Sequence, residues 1–111
     1  MEITFDTIDT IPTDILILTY LKRVKKATAA NIADAVGNRA KRRIGKLSNE
    51  YNEIHAEYSI HKELFFGKRY IVNRNVYSIT DAGLKSLEKW NKNHPAESKF
   101  LELLISMSYP L

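Results

Sequence analysis

The feature that most constrains the fold is Gly37, which stands between two short helical patterns. The segment before it, Ala29–Val36, is built of small and apolar residues, and Thr28 precedes it as an expected N-cap. The segment after it repeats apolar residues at the four-three-four spacing of one buried helical face: Ala40, Ile44, Leu47 and Tyr51. Small residues and a corner glycine allow two helices to approach closely at a steep angle. The stretch therefore predicts a helix-turn-helix.

The limits of the third helix are expected at two asparagines. Asn38 is expected to cap its start, and Asn52 is expected to end it, because asparagine tolerates the left-handed conformation. The helical periodicity could continue through Tyr58, since neither glycine nor proline interrupts it. Alternation of apolar and polar residues over Ile54–Ile60 favours a strand instead. We therefore expect a third helix over about 38–52.

Three other segments show helical patterns. Thr13 is expected to cap a first helix, and Thr80 a helix from Asp81 to about Lys92 that Asn93-His94-Pro95 ends. The final segment, Phe100–Met107, is apolar on nearly every face and is expected to be helical. The residues expected to form the core of the domain are Ile15, Leu18, Leu21, Ile32, Val36, Ile44, Leu47, Leu84 and Leu87.

A β-hairpin is expected over about 54–79, with two positions open for its tip. Folding at Gly67-Lys68-Arg69 would place Ser78 opposite Tyr58 and Val76 opposite Ile60, which pairs both strand patterns. Folding at Asn73-Arg74-Asn75 would leave the first strand without a partner, so the first position is preferred.

Composition bounds the size and the class of the protein. A chain of 111 residues with no cysteine fits one globular domain held together by its apolar core. The longest apolar stretch, Ile15–Leu18, is too short to span a bilayer, and the N-terminus lacks a signal-peptide pattern, so we expect a cytoplasmic protein without a membrane partner. The histidines (His55, His61 and His94) lack metal-ligand spacing, and no phosphate-binding glycine loop or nucleophile motif is present. We expect no catalytic residues, no metal and no cofactor, hence no enzyme.

Positive charge is concentrated in one part of the chain. The segment Lys22–Lys46 holds nine lysines and arginines against one acid, Asp34, although the formal net charge of the whole chain is only +4. The remaining residues are therefore net negative. A basic segment on a mildly acidic body is typical of a nucleic-acid-binding surface. At the end of the first helix, Lys22, Arg23, Lys25 and Lys26 could equally serve to complement the helix dipole.

The order helix, helix, basic helix, hairpin, helix resembles the winged helix-turn-helix superfamily, over roughly Thr13 to Lys92. Residues 28–37 resemble its positioning helix, and Val76-Tyr77-Ser78-Ile79-Thr80-Asp81-Ala82-Gly83-Leu84 resembles the junction of last wing strand and helix in MarR-like and PadR-like regulators. The Arg-Arg pair and the Tyr-x-x-Thr-Asp-x-Gly sequence are also similar to replication-relaxation proteins of plasmids. The fold implied is α+β: a three-helix core, a hairpin wing and additional C-terminal helices.

The resemblance implies a DNA-binding surface on the third helix and the wing tip. The third helix would lie in the major groove, with Asn38, Arg39, Arg42 and Arg43 as candidate base readers. Contacts to phosphates would come from Lys41, Lys46, Lys68 and Arg69. The expected partner is double-stranded DNA.

Two regions of the chain are expected to have different functions. Residues 1–92 would form the DNA-binding domain, and residues 93–111 would form a helix that makes a homodimer, because its apolar surface exceeds what the core needs. The expected function is that of a homodimeric transcriptional regulator. A plasmid or virus replication or segregation protein, and a winged-helix module for protein interaction, remain alternatives.

Overall fold

The computed structural model describes residues 11–65 and 67–108, and over 59–65 and 68–74 it describes the backbone alone. The described residues form an α+β fold of five helices and a small antiparallel sheet. The helices are α1 (Thr13–Val24), α2 (Ala29–Val36), α3 (Ala40–Asn49), α4 (Asp81–Asn93) and α5 (Pro95–Ser108). The strands are β1 (Ala27–Thr28), β2 (Ile54–Phe65) and β3 (Lys68–Ile79), with β3 in the centre of the sheet.

Two of the four predicted helix caps are confirmed. The Thr28 hydroxyl accepts a hydrogen bond from the Asn31 amide at 3.2 Å, and Thr80 caps α4 in the same way. The cap predicted at Thr13 is wrong: the N-cap is Pro12, whose carbonyl accepts from the Ile15 amide at 3.0 Å, and Thr13 is the first helical residue.

The predicted limits of the third helix, 38–52, are too wide at both ends. Asn38 does not cap it, because the Lys41 amide donates to the Asn38 carbonyl at 3.2 Å in a tight turn that precedes the helix; the N-cap is Arg39, without a side-chain bond. The helix ends at Asn49, before Tyr51, which is therefore half exposed instead of buried. Asn52 does adopt a left-handed φ of 53°, but three residues beyond the helix.

Gly37 fits the corner between α2 and α3 for a clear reason. Its φ of 103° and ψ of 161° lie in a region open essentially to glycine alone, and its amide donates to the Ala33 carbonyl at 2.8 Å. The predicted role of this glycine at the end of the second helix is confirmed.

The hairpin spans the predicted residues in a different register. Its last pair is Phe65–Lys68, so the alternative tip at 73–75 is excluded, but the predicted pairs with Tyr58 and Ile60 are wrong by three residues. Tyr58 faces Asn75, and Val76 faces Glu57. The reason is that Gly67, with a φ of 78°, takes a turn position itself, so the tip lies before Lys68 instead of being centred on it.

One apolar core joins the helices to the base of the sheet. The largest fully buried side chains belong to Ile17, Leu18, Leu21, Ile32, Leu47, Ile54 and Leu101. Every predicted core residue is buried except Leu84, which is half buried. Leu101 and Ile105 of α5 belong to this same core, so the C-terminal segment supplies apolar side chains to its own domain.

The junction of β3 and α4 closes against the loop that follows α3. The Thr80 amide donates to the Glu53 carbonyl at 3.0 Å, and the Thr80 hydroxyl donates to the Asn52 carbonyl at 2.6 Å while accepting from the Gly83 amide at 3.1 Å. A Cβ at Gly83 would overlap the Glu53 carbonyl oxygen. The Thr-Asp-x-Gly sequence therefore has a packing explanation: one hydroxyl joins two segments, and the glycine lets them touch.

Candidate nucleic-acid interface

The buried stripe of α3 fixes which side chains it presents outward. Ala40 and Leu47 have no exposed surface and Ile44 is 4% exposed, so this face packs on the core. The opposite face therefore points away from the protein. Its exposed residues are Lys41, Arg42, Gly45, Lys46 and Asn49. Asn38 and Arg39, in the turn before the helix, are exposed as well. We call Asn38, Arg39, Lys41, Arg42 and Lys46 the basic face.

The positive charges in the first turn of α3 are not explained by helix stability. The helix contains four cations and no acid; Lys41 and Arg42 lie in its first turn, whereas Lys46 lies in its last turn. The N-terminal end of a helix carries a partial positive charge, so each cation there is unfavourable by about 0.3–1 kcal/mol. On α1 the situation is opposite, because Lys22 and Arg23 lie in its last turn and complement the dipole.

Arg43 differs from its neighbours because its side chain makes hydrogen bonds to another helix of the protein. Its Nε and Nη2 donate to the two carboxylate oxygens of Asp14 at 2.7 and 2.8 Å, and about a third of the side chain is exposed. The hydrogen bond and the charge of Asp14 raise the pKa of Arg43, with a smaller contribution from Tyr51. This paired contact joins α3 to the first turn of α1 and holds the orientation of the basic face.

Gly45 is a residue of the site that the sequence reasoning did not single out. It lies in the middle of α3 on the exposed face, where glycine costs about 1 kcal/mol relative to alanine. A Cβ there would meet no atom of the described residues within 4 Å. Packing within the described part of the chain therefore does not require this glycine. The signal available in the sequence was a glycine within a helical pattern, because glycine is unfavourable there and permits a close approach to the backbone.

The hairpin carries the other two predicted contacts far from α3. Lys68 and Arg69 pair with Phe65 and Leu64 at the distal end of strands of twelve residues each. At about 3.3 Å per residue, the hairpin is roughly 40 Å long. Its proximal end is fixed at Ile54, which is buried in the core. The backbone thus places Lys68 and Arg69 at the tip of the hairpin, in a region separate from the basic face.

The base of the hairpin also bonds to the chain just before α2. The short strand β1 pairs with β3 through Ala27–Tyr77 and Thr28–Val76, an element absent from the sequence prediction. Lys26 lies 3.7 Å from Glu57 of β2 in a solvent-exposed ion pair, which contributes little to stability. Through β1, the hairpin is tied directly to the N-cap of the second helix.

Among the described residues, no group of three or more histidine or acidic side chains is placed to hold a metal ion. His94 instead stacks on Trp90 with ring centroids 4.5 Å apart. Nor does any helix in the described ranges have the length and apolar character needed to cross a membrane.

No protein-family model, curated protein or solved structure matches the chain. The resemblance to winged-helix proteins therefore rests on the sequence motifs that suggested it.

Proposed function

We propose that the protein binds double-stranded DNA sequence-specifically as a winged helix-turn-helix protein, with α3 in the major groove. The observation that carries the proposal is the basic face of α3. Three of its cations, Arg39, Lys41 and Arg42, lie at the N-terminal end of α3, where they oppose the helix dipole, and their side chains are exposed. An unfavourable charge arrangement that the fold does not need is the expected feature of a surface that meets a polyanion.

We expect the basic residues to have different roles. Arg42 is the strongest candidate for reading a base edge, since an exposed guanidinium can donate to both guanine O6 and N7. Asn38 and Arg39 would reach the groove from the turn, while Lys41 and Lys46 would contact phosphates. Arg43 would act chiefly by holding α3 on α1 through Asp14. Gly45 would let the helix backbone approach the groove closely.

The hairpin is the proposed wing. A salt titration tests both the binding of DNA and the contact of the hairpin tip with DNA. With a labelled random-sequence duplex, log K should fall linearly with log salt concentration, by about 0.9 per phosphate contact. Replacing Lys68 and Arg69 by Ala should weaken binding to all sequences alike and reduce the slope by about one for each lost contact. Fluorescence anisotropy measures both quantities.

A matched control for the wing variant is Lys85→Ala with Lys89→Ala, which removes two exposed cations from α4. This protein should keep the wild-type slope. An unchanged slope in the wing variant would remove the tip from the interface, and absence of duplex binding at low salt would contradict the proposed function. Tighter binding to the single strand than to the duplex would instead indicate base stacking on exposed Tyr51 and Tyr58.

We further propose that the protein acts as a homodimeric cytoplasmic regulator joined through α5. Phe100, Leu103 and Met107 are 41%, 63% and 74% exposed and follow the three-four spacing of one helical face. Leu101 and Ile105 occupy the opposite side, which packs into the core. Burial of one large apolar side chain contributes about 1.5–3 kcal/mol, so a symmetric contact of these stripes can offset part of the entropy of association.

The dimer contact is tested by charging the exposed stripe. Leu103→Lys with Met107→Lys should convert a dimer into a folded monomer, as measured by sedimentation, because two cations would face their symmetry copies. Ser86→Lys with Asn93→Lys adds the same charge at exposed positions of α4 and should leave the dimer intact. A wild-type chain that sediments as a monomer at high concentration would contradict this part of the proposal. Removing all of α5 is a poorer test, since Leu101 and Ile105 belong to the core.

A further inference from the structure

Asn49, like Gly45, is a residue of α3 that helix stability does not explain. It is the last residue of the helix and is exposed. It is not a left-handed cap, because the non-glycine residues with positive φ in the described ranges are Lys25 and Asn52. Nor does its side-chain amide make a hydrogen bond to another described residue. Asparagine and glycine are both poor helix formers, so both positions carry a cost that the fold does not require.

Asn49 lies on the same stripe of α3 as Arg42 and Gly45. Gly45 follows Arg42 by three residues and precedes Asn49 by four, which is the spacing of neighbours on one helical face. At about 3.6 residues per turn, Arg42 and Asn49 differ by only about 20° around the helix axis. The opposite side carries the buried residues of the helix, Ala40, Ile44 and Leu47. Arg42 and Asn49 therefore face the same partner.

The lengths of the two side chains determine how close α3 must come to that partner. The Arg42 guanidinium is separated from the backbone by a chain of methylene groups, whereas the Asn49 amide is attached directly to Cβ. A contact from Asn49 therefore requires a closer approach of the helix backbone than a contact from Arg42. Gly45 lies between them and has no side chain to hold the partner away. One close contact would explain both the glycine and the asparagine.

We propose that Asn49 reads an adenine in the major groove, and that Gly45 is the positioning residue that lets it reach the base. The inference rests on the proposed binding of DNA by α3 and adds a base contact at the C-terminal end of the helix. The asparagine oxygen accepts from adenine N6 while its amide nitrogen donates to N7, a pairing that distinguishes adenine from the other bases. Arg42 and Asn49 are seven residues apart, a rise of about 10 Å or about three base pairs. Each half-site should therefore hold a guanine for Arg42 and an adenine for Asn49 at that separation.

Affinities for a selected duplex test the adenine contact. The wild-type chain first selects its preferred sequence from a random duplex library, and fluorescence anisotropy then measures altered copies of that duplex. 7-Deazaadenine in place of the adenine removes the N7 acceptor and preserves base pairing, so the wild type should bind this duplex roughly 2- to 10-fold more weakly. Asn49→Ala should bind the original duplex roughly 5- to 150-fold more weakly than the wild type does, and should bind the two duplexes equally. Its preference for the guanine should remain.

Asn93→Ala is the matched control, because Asn93 is the exposed last residue of α4. This variant should bind both duplexes like the wild type. Gly45→Ala should lose the distinction between adenine and 7-deazaadenine, as Asn49→Ala does. Combining Gly45→Ala with Asn49→Ala should therefore weaken binding little more than either change alone.

The inference is overturned if the selected sequence holds no adenine at that separation, if Asn49→Ala still distinguishes the two duplexes, or if the losses from Gly45→Ala and Asn49→Ala add. An equal loss of affinity for every sequence in Asn49→Ala would indicate a phosphate contact and would also overturn it. Failure of the proposed function gives a different result, because the wild-type chain would then enrich no sequence at all. A wild-type chain that enriches a sequence which Asn49→Ala enriches equally would remove the adenine contact alone.

Discussion

Replacing Arg42 and Lys46 by Ala should abolish sequence-specific DNA binding without lowering the melting temperature. Both side chains lie on the exposed face of α3, and in the described part of the chain neither makes an intramolecular hydrogen bond or ion pair. Loss of one base contact from Arg42 should cost about 1–3 kcal/mol, which is roughly 5- to 150-fold in affinity. Loss of a phosphate contact from Lys46 should lower the salt slope by about one.

Arg43 differs from Arg42 and Lys46 because its side chain bonds to Asp14. Arg43→Ala removes both hydrogen bonds to Asp14, so it should lower the melting temperature as well as the affinity for DNA. Asp14→Ala separates the two effects, because it breaks the contact with α1 and leaves the arginine free. If Asp14→Ala weakens DNA binding, Arg43 acts by positioning α3. If Asp14→Ala preserves binding while Arg43→Ala abolishes it, Arg43 itself contacts DNA. Unchanged affinity in the Arg42 and Lys46 variant would remove the basic face from the interface.

Gly83→Ala should be strongly destabilising. The added methyl group would overlap the Glu53 carbonyl oxygen and lie 2.8 Å from Cγ1 of Ile79. Backbone cannot move aside cheaply there, since Thr80 bonds to both Asn52 and Glu53. Overpacking of this kind costs about 1–3 kcal/mol or more, and each kcal/mol lowers the melting temperature by roughly 4–8 °C in a domain near this size.

Gly45→Ala is the matched control for that experiment, with the opposite expected sign. An alanine at this exposed position in α3 meets no atom of the described residues within 4 Å and improves helix propensity by about 1 kcal/mol, so the protein should become more stable. Calorimetric or circular-dichroism melting measures both variants. Equal melting temperatures for Gly83→Ala and the wild type would contradict the close packing of α4 on the loop after α3. A Gly45→Ala protein that is more stable but binds DNA less tightly would support a close approach of the α3 backbone to the groove.

The structural features that could be predicted from the sequence are those that depend on local interactions. The Thr28 and Thr80 caps bond to amides three residues away, and the Gly37 corner depends on the backbone of one residue, so each is visible in a short window. The caps at Thr13 and Asn38 were misplaced because an adjacent residue, Pro12 or Arg39, took the position. Cap identity is decided by one residue of register, which a periodic pattern does not resolve.

Interactions between segments that are distant in the chain could not be predicted from the sequence. The carboxylate of Asp14 meets Arg43 across 29 residues of chain, and nothing near Arg43 distinguishes it from Arg42 except its place beside the buried stripe. The hairpin register shifted by three residues because Gly67 occupies a turn position, which changes every pair. The apolar pattern of α5 predicted a helix, but which faces join the core depends on where α1 and α4 lie.

Selection of bound DNA from a random duplex library tests the central claim most directly. If α3 reads bases in the major groove of a dimer, the wild-type chain should enrich one sequence with two inverted half-sites, their centres about one helical turn or roughly 34 Å apart. The same selection with the Arg42→Ala and Lys46→Ala variant should enrich none. A folded wild-type protein that retains no duplex, or retains duplexes without enriching any sequence, would contradict the account.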